Sequence, residues 1–199
     1  MSSTITPALR RVLNAAVIQF ARHGYEGASL SGIALEAGIR KASLYSHVKN
    51  KDALFMAVFE DALEMEALFA RECFARPEPG LPGQNYCESL LARYADSEHF
   101  RFLLRTSYIP PASLFDELQE GYEVYMQQLL ADFTTALRRH LGQISDQDAE
   151  VMGHAWMGMV DSLHVALIYI GQARFEARLN ALERLMGDSI ARLEQGETP

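Results

Sequence analysis

The chain has 199 residues, is 49% apolar and 22% charged, and carries a net charge of −8 at pH 7. That composition suits a folded core and excludes a disordered chain, and the length allows one domain or two small ones. No basic-then-apolar leader opens it and no run of about 18 apolar residues crosses it, so a cytoplasmic protein without a membrane span is expected.

Nearly every segment reads as helix, strand-like alternation is scarce, and no Asn-Gly hairpin signal occurs. A first helix is predicted over about 6–23, with Pro7 in its first turn, an apolar stripe of Leu9, Val12, Leu13, Ala16, Val17 and Phe20, and Gly24 as its stop. Ser29 can cap a second helix over 30–36, in which Leu30, Ile33 and Ala34 face inward, and Gly38 closes it with a tight turn. A third, over 40–47, turns Leu44 and Val48 to the core. Asn50 caps a fourth over 51–75, where Asp52 in the first turn suits the helix dipole. The stretch RPEPGLPG, 76–83, is a loop. Further helices follow over 84–96, 98–107, 113–141, 146–171 and 174–194, divided by YIPPAS, Gly142 and Gly171, with Ser145 and Asp148 placed as a capping box.

Charge is divided unevenly along these elements. Residues 1–51 hold seven basic and two acidic side chains, a net of +5, and the remainder holds 11 basic and 24 acidic, a net of −13. All three lysines of the chain, Lys41, Lys49 and Lys51, lie within this head, beside Arg40 and His47. A basic head on an acidic body points to a polyanion as its partner. A helix of seven or eight residues, a glycine turn and a second short helix make the skeleton of a helix-turn-helix. On the second helix Ala42, Ser43 and Ser46 lie opposite Leu44 and Val48, flanked by Tyr45 and His47. Small outer residues let a backbone sit deep in a major groove, while hydroxyls and Tyr45 can bond phosphates. Lys41 is the long donor directed to base edges, and Lys51 opens the fourth helix, where free N–H groups favour a phosphate.

The residues VLNAAVIQFARHGYEGASLSGIALEAGIRKASLYSHVKNKDALF, in the stretch from about 10 to 56, resemble the N-terminal domain of the tetracycline-repressor (TetR) family of bacterial transcription regulators. Three parts carry the resemblance: F-A-x-x-G-Y, I-A-x-x-A-G-I and S-L-Y-x-H-V-x-N-K-x-A-L. It implies an all-α fold with a three-helix DNA-binding head, residues 1–50, and a larger helical effector and dimerisation body, residues 51–199. It also implies a homodimer joined through the last two helices. Lys41, Ala42, Ser43, Tyr45, His47 and Lys51 match the family's DNA-contacting positions, and Ser29 and Ser31 match contacts at the start of helix two. Two positions depart from the pattern. Arg40 stands where a capping Ser or Thr is common, so the third helix is expected to fray at its start. Gly32 stands where an acidic residue is common and weakens helix two by up to ~1 kcal/mol relative to alanine.

The body shows no phosphate loop, H-E-x-x-H or G-x-S-x-G, so no catalytic residue, metal site or cofactor is expected. Asp161 and His164, three apart on one helix with His154, could pair or bind a metal, but read better as polar positions at an interface or pocket wall. Cys73 and Cys87 have neither C-x-x-C nor metal spacing. They read as buried small hydrophobes, with a redox pair across the intervening loop as the alternative. Met and aromatic residues suit either core or a pocket for an apolar small molecule. By resemblance the central helices enclose an effector, and the candidate lining is Phe69, Phe102, Tyr122, Met126, Met152 and Trp156. Stripes of Val160, Leu163, Leu167 and Ile170, and of Leu179, Leu182, Leu185, Met186, Ile190 and Leu193, suit a two-fold partner. The function implied is a repressor released from a palindromic operator by an apolar or aromatic small molecule. An effector-independent architectural DNA-binding protein is the alternative.

Overall fold

The computed structural model describes residues 6–76 and 80–196. These form nine α-helices: α1 (Pro7–Gly27), α2 (Leu30–Glu36), α3 (Lys41–Leu44), α4 (Lys51–Ala75), α5 (Gln84–Asp96), α6 (Glu98–Tyr108), α7 (Phe115–Leu141), α8 (Asp146–Tyr169) and α9 (Gln172–Glu194). A 3-10 turn, Ala112–Leu114, precedes α7, and no strand occurs among the described residues. Residues 77–79 of the predicted 76–83 loop lie outside the described residues.

The predicted caps form: Ser29 Oγ accepts from Gly32 N at 3.0 Å, Asn50 Oδ1 from Ala53 N at 2.7 Å and Ser145 Oγ from Asp148 N at 3.0 Å. Thr6, which is not among the predicted caps, also caps α1, its Oγ1 accepting from Leu9 N at 3.2 Å. Each replaces a partner that the first helical turn cannot supply from its own backbone.

The chain divides into two compact units, Met1–Glu66 with Ser97–Glu123, and Ala67–Asp96 with Val124–Pro199. The long helices α4 and α7 each supply residues to both.

In the first unit the helix-turn-helix shares one core with α6 and the beginnings of α4 and α7. Val12, Leu13, Ala16, Val17 and Phe20 of α1 are buried at helical spacing, as the pattern requires. Phe55 of α4 meets Phe20 edge-on at 4.8 Å and Phe102 of α6 at 5.1 Å. Aromatic pairs in this geometry add to the burial of their area. Beside this core, Arg10 Nη1 donates to both carboxylate oxygens of Asp61 at 2.6 and 2.7 Å, and His99 Nε2 lies 3.4 Å from Asp61 Oδ2. The His99 contact and the Arg10 pair together hold the buried Asp61 carboxyl below its usual range.

In the second unit Trp156 of α8 is the centre, 1% exposed. Phe133 stacks on it at 4.6 Å and 11°, while Tyr86 and Phe74 approach at 5.7 and 5.8 Å. Gly83 has φ +78°, and a Cβ there would stand 2.5 Å from Trp156 Nε1, so only glycine lets the backbone pass against the indole. Cys73 and Cys87 are free, buried thiols, and burial raises that of Cys73. Among the described residues α8 is the one helix long and apolar enough to cross a membrane. Half of its most apolar window is buried inside the fold, and the helix carries Asp161 and His164.

Candidate nucleic-acid interface and effector site

The helix-turn-helix is built by local rules. α2 ends in a hydrogen-bonded reversal in which Gly38 N donates to Leu35 O at 3.1 Å and Ile39 N to Ala34 O at 2.9 Å. Gly38 supplies the required positive φ of +68°, and nothing lies within 4 Å of where a Cβ would stand. The chain then enters α3 with Leu44 at 0% and Val48 at 8% exposure, pinned in the core.

That anchoring turns the predicted face outward. Lys41, Ala42, Ser43, Tyr45 and Ser46 are exposed, and His47 is half-buried. Ser29 and Ser31 are exposed at the start of α2. Ser29 Oγ already accepts as the cap of that helix, which leaves its hydroxyl proton free for a second acceptor. Lys51 is half-buried, with Nζ 4.4 Å from the centre of the Tyr25 ring.

Helix three differs from expectation. Arg40 makes no side-chain cap, yet the start holds, with Ser43 N and Leu44 N both donating to Arg40 O, at 2.9 and 3.3 Å. The far end loosens instead, and 45–47 are turns. There Ser46 Oγ takes Ser43 O at 2.7 Å and the backbone shifts to i→i+3 bonds, as serine side chains compete for helical carbonyls.

The effector candidates occupy two settings. Phe102 and Tyr122 belong to the first unit: Phe102 is 1% exposed beside Phe55, and Tyr122 packs on Phe59 and donates its hydroxyl to Leu103 O. Phe69, Met126, Met152 and Trp156 belong to the second unit. Phe69 and Trp156 both contact Tyr86, Met152 is buried and Met126 is half-buried. Tyr86 and Phe133, absent from the candidate set, complete the ring cluster. Their place follows from contacts between helices, which no spacing along one helix reveals.

Two hollows lie in the second unit. A cavity of about 10 Å³, roughly one water, is lined by Leu81, Gly83, Cys87, Trp156, Glu183 and Met186, among others. Glu183 Oε1 is buried in it without a hydrogen-bond partner among the described residues, and burial, then the charge of Glu88, raises that carboxyl. A cleft of about 190 Å³ lies between Arg71, Phe74, Ala75, Asp132, Thr135, Ala136 and Arg139. On α8 the pair Asp161 and His164 separates: Asp161 is exposed, His164 is buried, and His154 is exposed. No group of three or more metal-ligating side chains occurs among the described residues.

Residues 12–58 match the sequence model of the family described as bacterial regulatory proteins, tetR family. The chain is 46% identical over 50 residues, 25% of its length, to the HTH-type transcriptional repressor SCO4008 of Streptomyces coelicolor. It is 22% identical over 177 residues, 84% of its length, to the HTH-type transcriptional regulator YerO of Bacillus subtilis. The chain spans 26% and 58% of the lengths of these two curated relatives. The crystal structure of a transcriptional regulator FadR from Bacillus subtilis, solved with stearoyl-CoA, shares the fold. It has a TM-score of 0.65 at 17% identity, over 89% of this chain and 97% of that one.

Proposed function

This chain belongs to the tetR family of bacterial regulatory proteins, and from that premise we propose that it is a ligand-responsive repressor which binds a palindromic operator as a cytoplasmic homodimer. The observation that carries the reading is the outer face of α3. Lys41, Ala42, Ser43 and Tyr45 stand free because Leu44 and Val48 are held in the core. Ala42 and Ser43 bring the backbone close to base edges, Lys41 offers a guanine a donor, and Tyr45, His47, Ser29, Ser31 and Lys51 supply phosphate contacts. In functional terms residues 1–50 read the DNA and 51–199 bind effector and partner.

The dimer contact is proposed on the part of these two helices that the fold leaves bare, which keeps Leu185 but not most of the stripes. Val160, Leu163, Leu167, Met186 and Ile190 are already buried inside the second unit. Among the large apolar side chains, α8 and α9 leave bare Val151 at 49%, Tyr169 at 67% and Leu185 at 63% exposure, with exposed Ala155 and Gly158 between turns of α8. Small residues permit close helix approach, and flanking apolar side chains add buried area.

The effector is proposed to be an apolar or acyl-bearing small molecule accommodated in the ring cluster of the second unit. The bound stearoyl-CoA of the FadR neighbour supports that class. An effector shifts operator affinity only by its differential affinity for the two states of the protein. A second reading, an effector-independent architectural binder, is favoured by the filling around Trp156, where the cavity is only about 10 Å³. Addition of acyl-CoA or free fatty acid to the protein–operator complex separates the two, since release supports the first reading and unchanged affinity the second.

Genomic fragments selected on the purified protein provide the operator. If each subunit neutralises about four phosphates, log affinity falls with log salt at a slope near −7 for the dimer, read by fluorescence anisotropy across a salt series. A flat response rules the DNA reading out. On the same operator, Lys41→Ala relaxes discrimination at one base pair per half-site by roughly 1–3 kcal/mol, measured against single-base variants. Uniform weakening on every sequence assigns Lys41 to a phosphate instead.

A further inference from the structure

Tyr25 lies in the last turn of the first helix, just beyond the break at Gly24. Its ring meets Phe55 edge-on at 5.3 Å and 84°, so its plane is set by the core of the first unit. Its hydroxyl donates to Asp52, in the first turn of α4. Burial, then the Asp52 contact, pushes the phenol up to about 12, so it remains a donor at any working pH. Over the ring, 4.4 Å from its centre, stands the ammonium of Lys51.

Lys51 adjoins Asp52, yet among the described residues it enters no ion pair. The neighbouring carboxylate is engaged by the Tyr25 hydroxyl, and the lysine charge rests on a neutral π face. A ring orders an ammonium without cancelling its charge, whereas a carboxylate would cancel it. A lysine ordered in advance loses less rotamer freedom when it grips an anion.

We propose that Tyr25 is a positioning residue for DNA binding: its ring sets the Lys51 ammonium at the start of α4 for a phosphate, and its hydroxyl keeps Asp52 from pairing with that ammonium. The assignment rests on the DNA reading above.

The test is a double-mutant cycle on a fluorescein-labelled duplex recovered by the genomic selection, with the dimer titrated across a salt series. Lys51→Ala removes one phosphate contact per subunit and makes the salt slope shallower by about 2. Tyr25→Leu lowers affinity roughly five- to thirty-fold for the dimer and shifts the slope in the same direction. In the Lys51→Ala background the same change moves affinity less than about two-fold, because its route is gone. Tyr25→Phe keeps the ring and the core contacts, so it folds as the parent does. It frees Asp52 for Lys51 and weakens binding about three-fold, again only with Lys51 present. Equal losses in both lysine backgrounds, or tighter binding on removal of the ring, overturn the assignment. Failure of the unmodified protein to bind any duplex overturns the DNA reading itself, so the two failures are distinct.

Discussion

Trp156→Ala is expected to lower the free energy of unfolding by about 3–5 kcal/mol, the range for a large aromatic removed from a packed core. The indole is 1% exposed and is held by Phe133, Tyr86 and Phe74 from three other helices, with the Gly83 backbone against its edge. Removal leaves a void that cannot collapse easily, because stacked rings and a glycine turn form its walls. Trp156→Phe keeps most of the ring contact and costs about 1–2 kcal/mol less than full truncation. Urea denaturation followed by far-UV circular dichroism checks both, since Trp156 is the only tryptophan and its fluorescence vanishes with it. A loss below about 1 kcal/mol for the alanine variant would mean that the cluster does not carry the second unit.

Acid is expected to destabilise the protein through His164. Burial depresses this imidazole from 6.5 to about 4. Below the unfolded value the unfolded chain takes up a proton that the folded chain refuses, so stability is lost as pH falls. The window runs from about 6.5 down to about 4, with roughly 2 kcal/mol lost by pH 5 and about 3 kcal/mol by pH 4. The full stability contribution therefore stands at neutral pH and is gone below the folded value. His164→Gln removes this share of the pH dependence. The difference between parent and variant isolates it from Asp61, whose lowered carboxyl also loses stability in acid, and from Glu183, whose raised carboxyl has the opposite sign. Identical slopes for parent and variant between pH 7 and 5 would remove His164 as the cause.

Most element boundaries were legible because their signals are local. Pro7, Ser29, Asn50 and Ser145 act within one helical turn, and Gly38 answers to the φ of its own residue. The outward face of α3 was legible for the same reason, since the burial of Leu44 and Val48 follows from position on one helix. Its short length was not, because the loosening after Leu44 depends on Ser46 competing for a carbonyl that either state could satisfy. In the body the spacing marked Phe69, Phe102, Tyr122, Met126, Met152 and Trp156 alike, and the fold then placed two of them in one unit and four in the other.

Local patterning was enough for the helices, for the caps at Ser29, Asn50 and Ser145 and for the helix-turn-helix, along with a basic head on an acidic remainder. It took the packed molecule to show that the head shares its core with α6, that Tyr86 and Phe133 close around Trp156, and that Val151 and, of the stripes, Leu185 are left bare while Val160, Leu163, Leu167, Met186 and Ile190 are covered. Helical periodicity says which side of a helix is apolar. It does not say which other helix covers that side, because such a contact joins residues tens of positions apart and is settled by packing the whole chain at once.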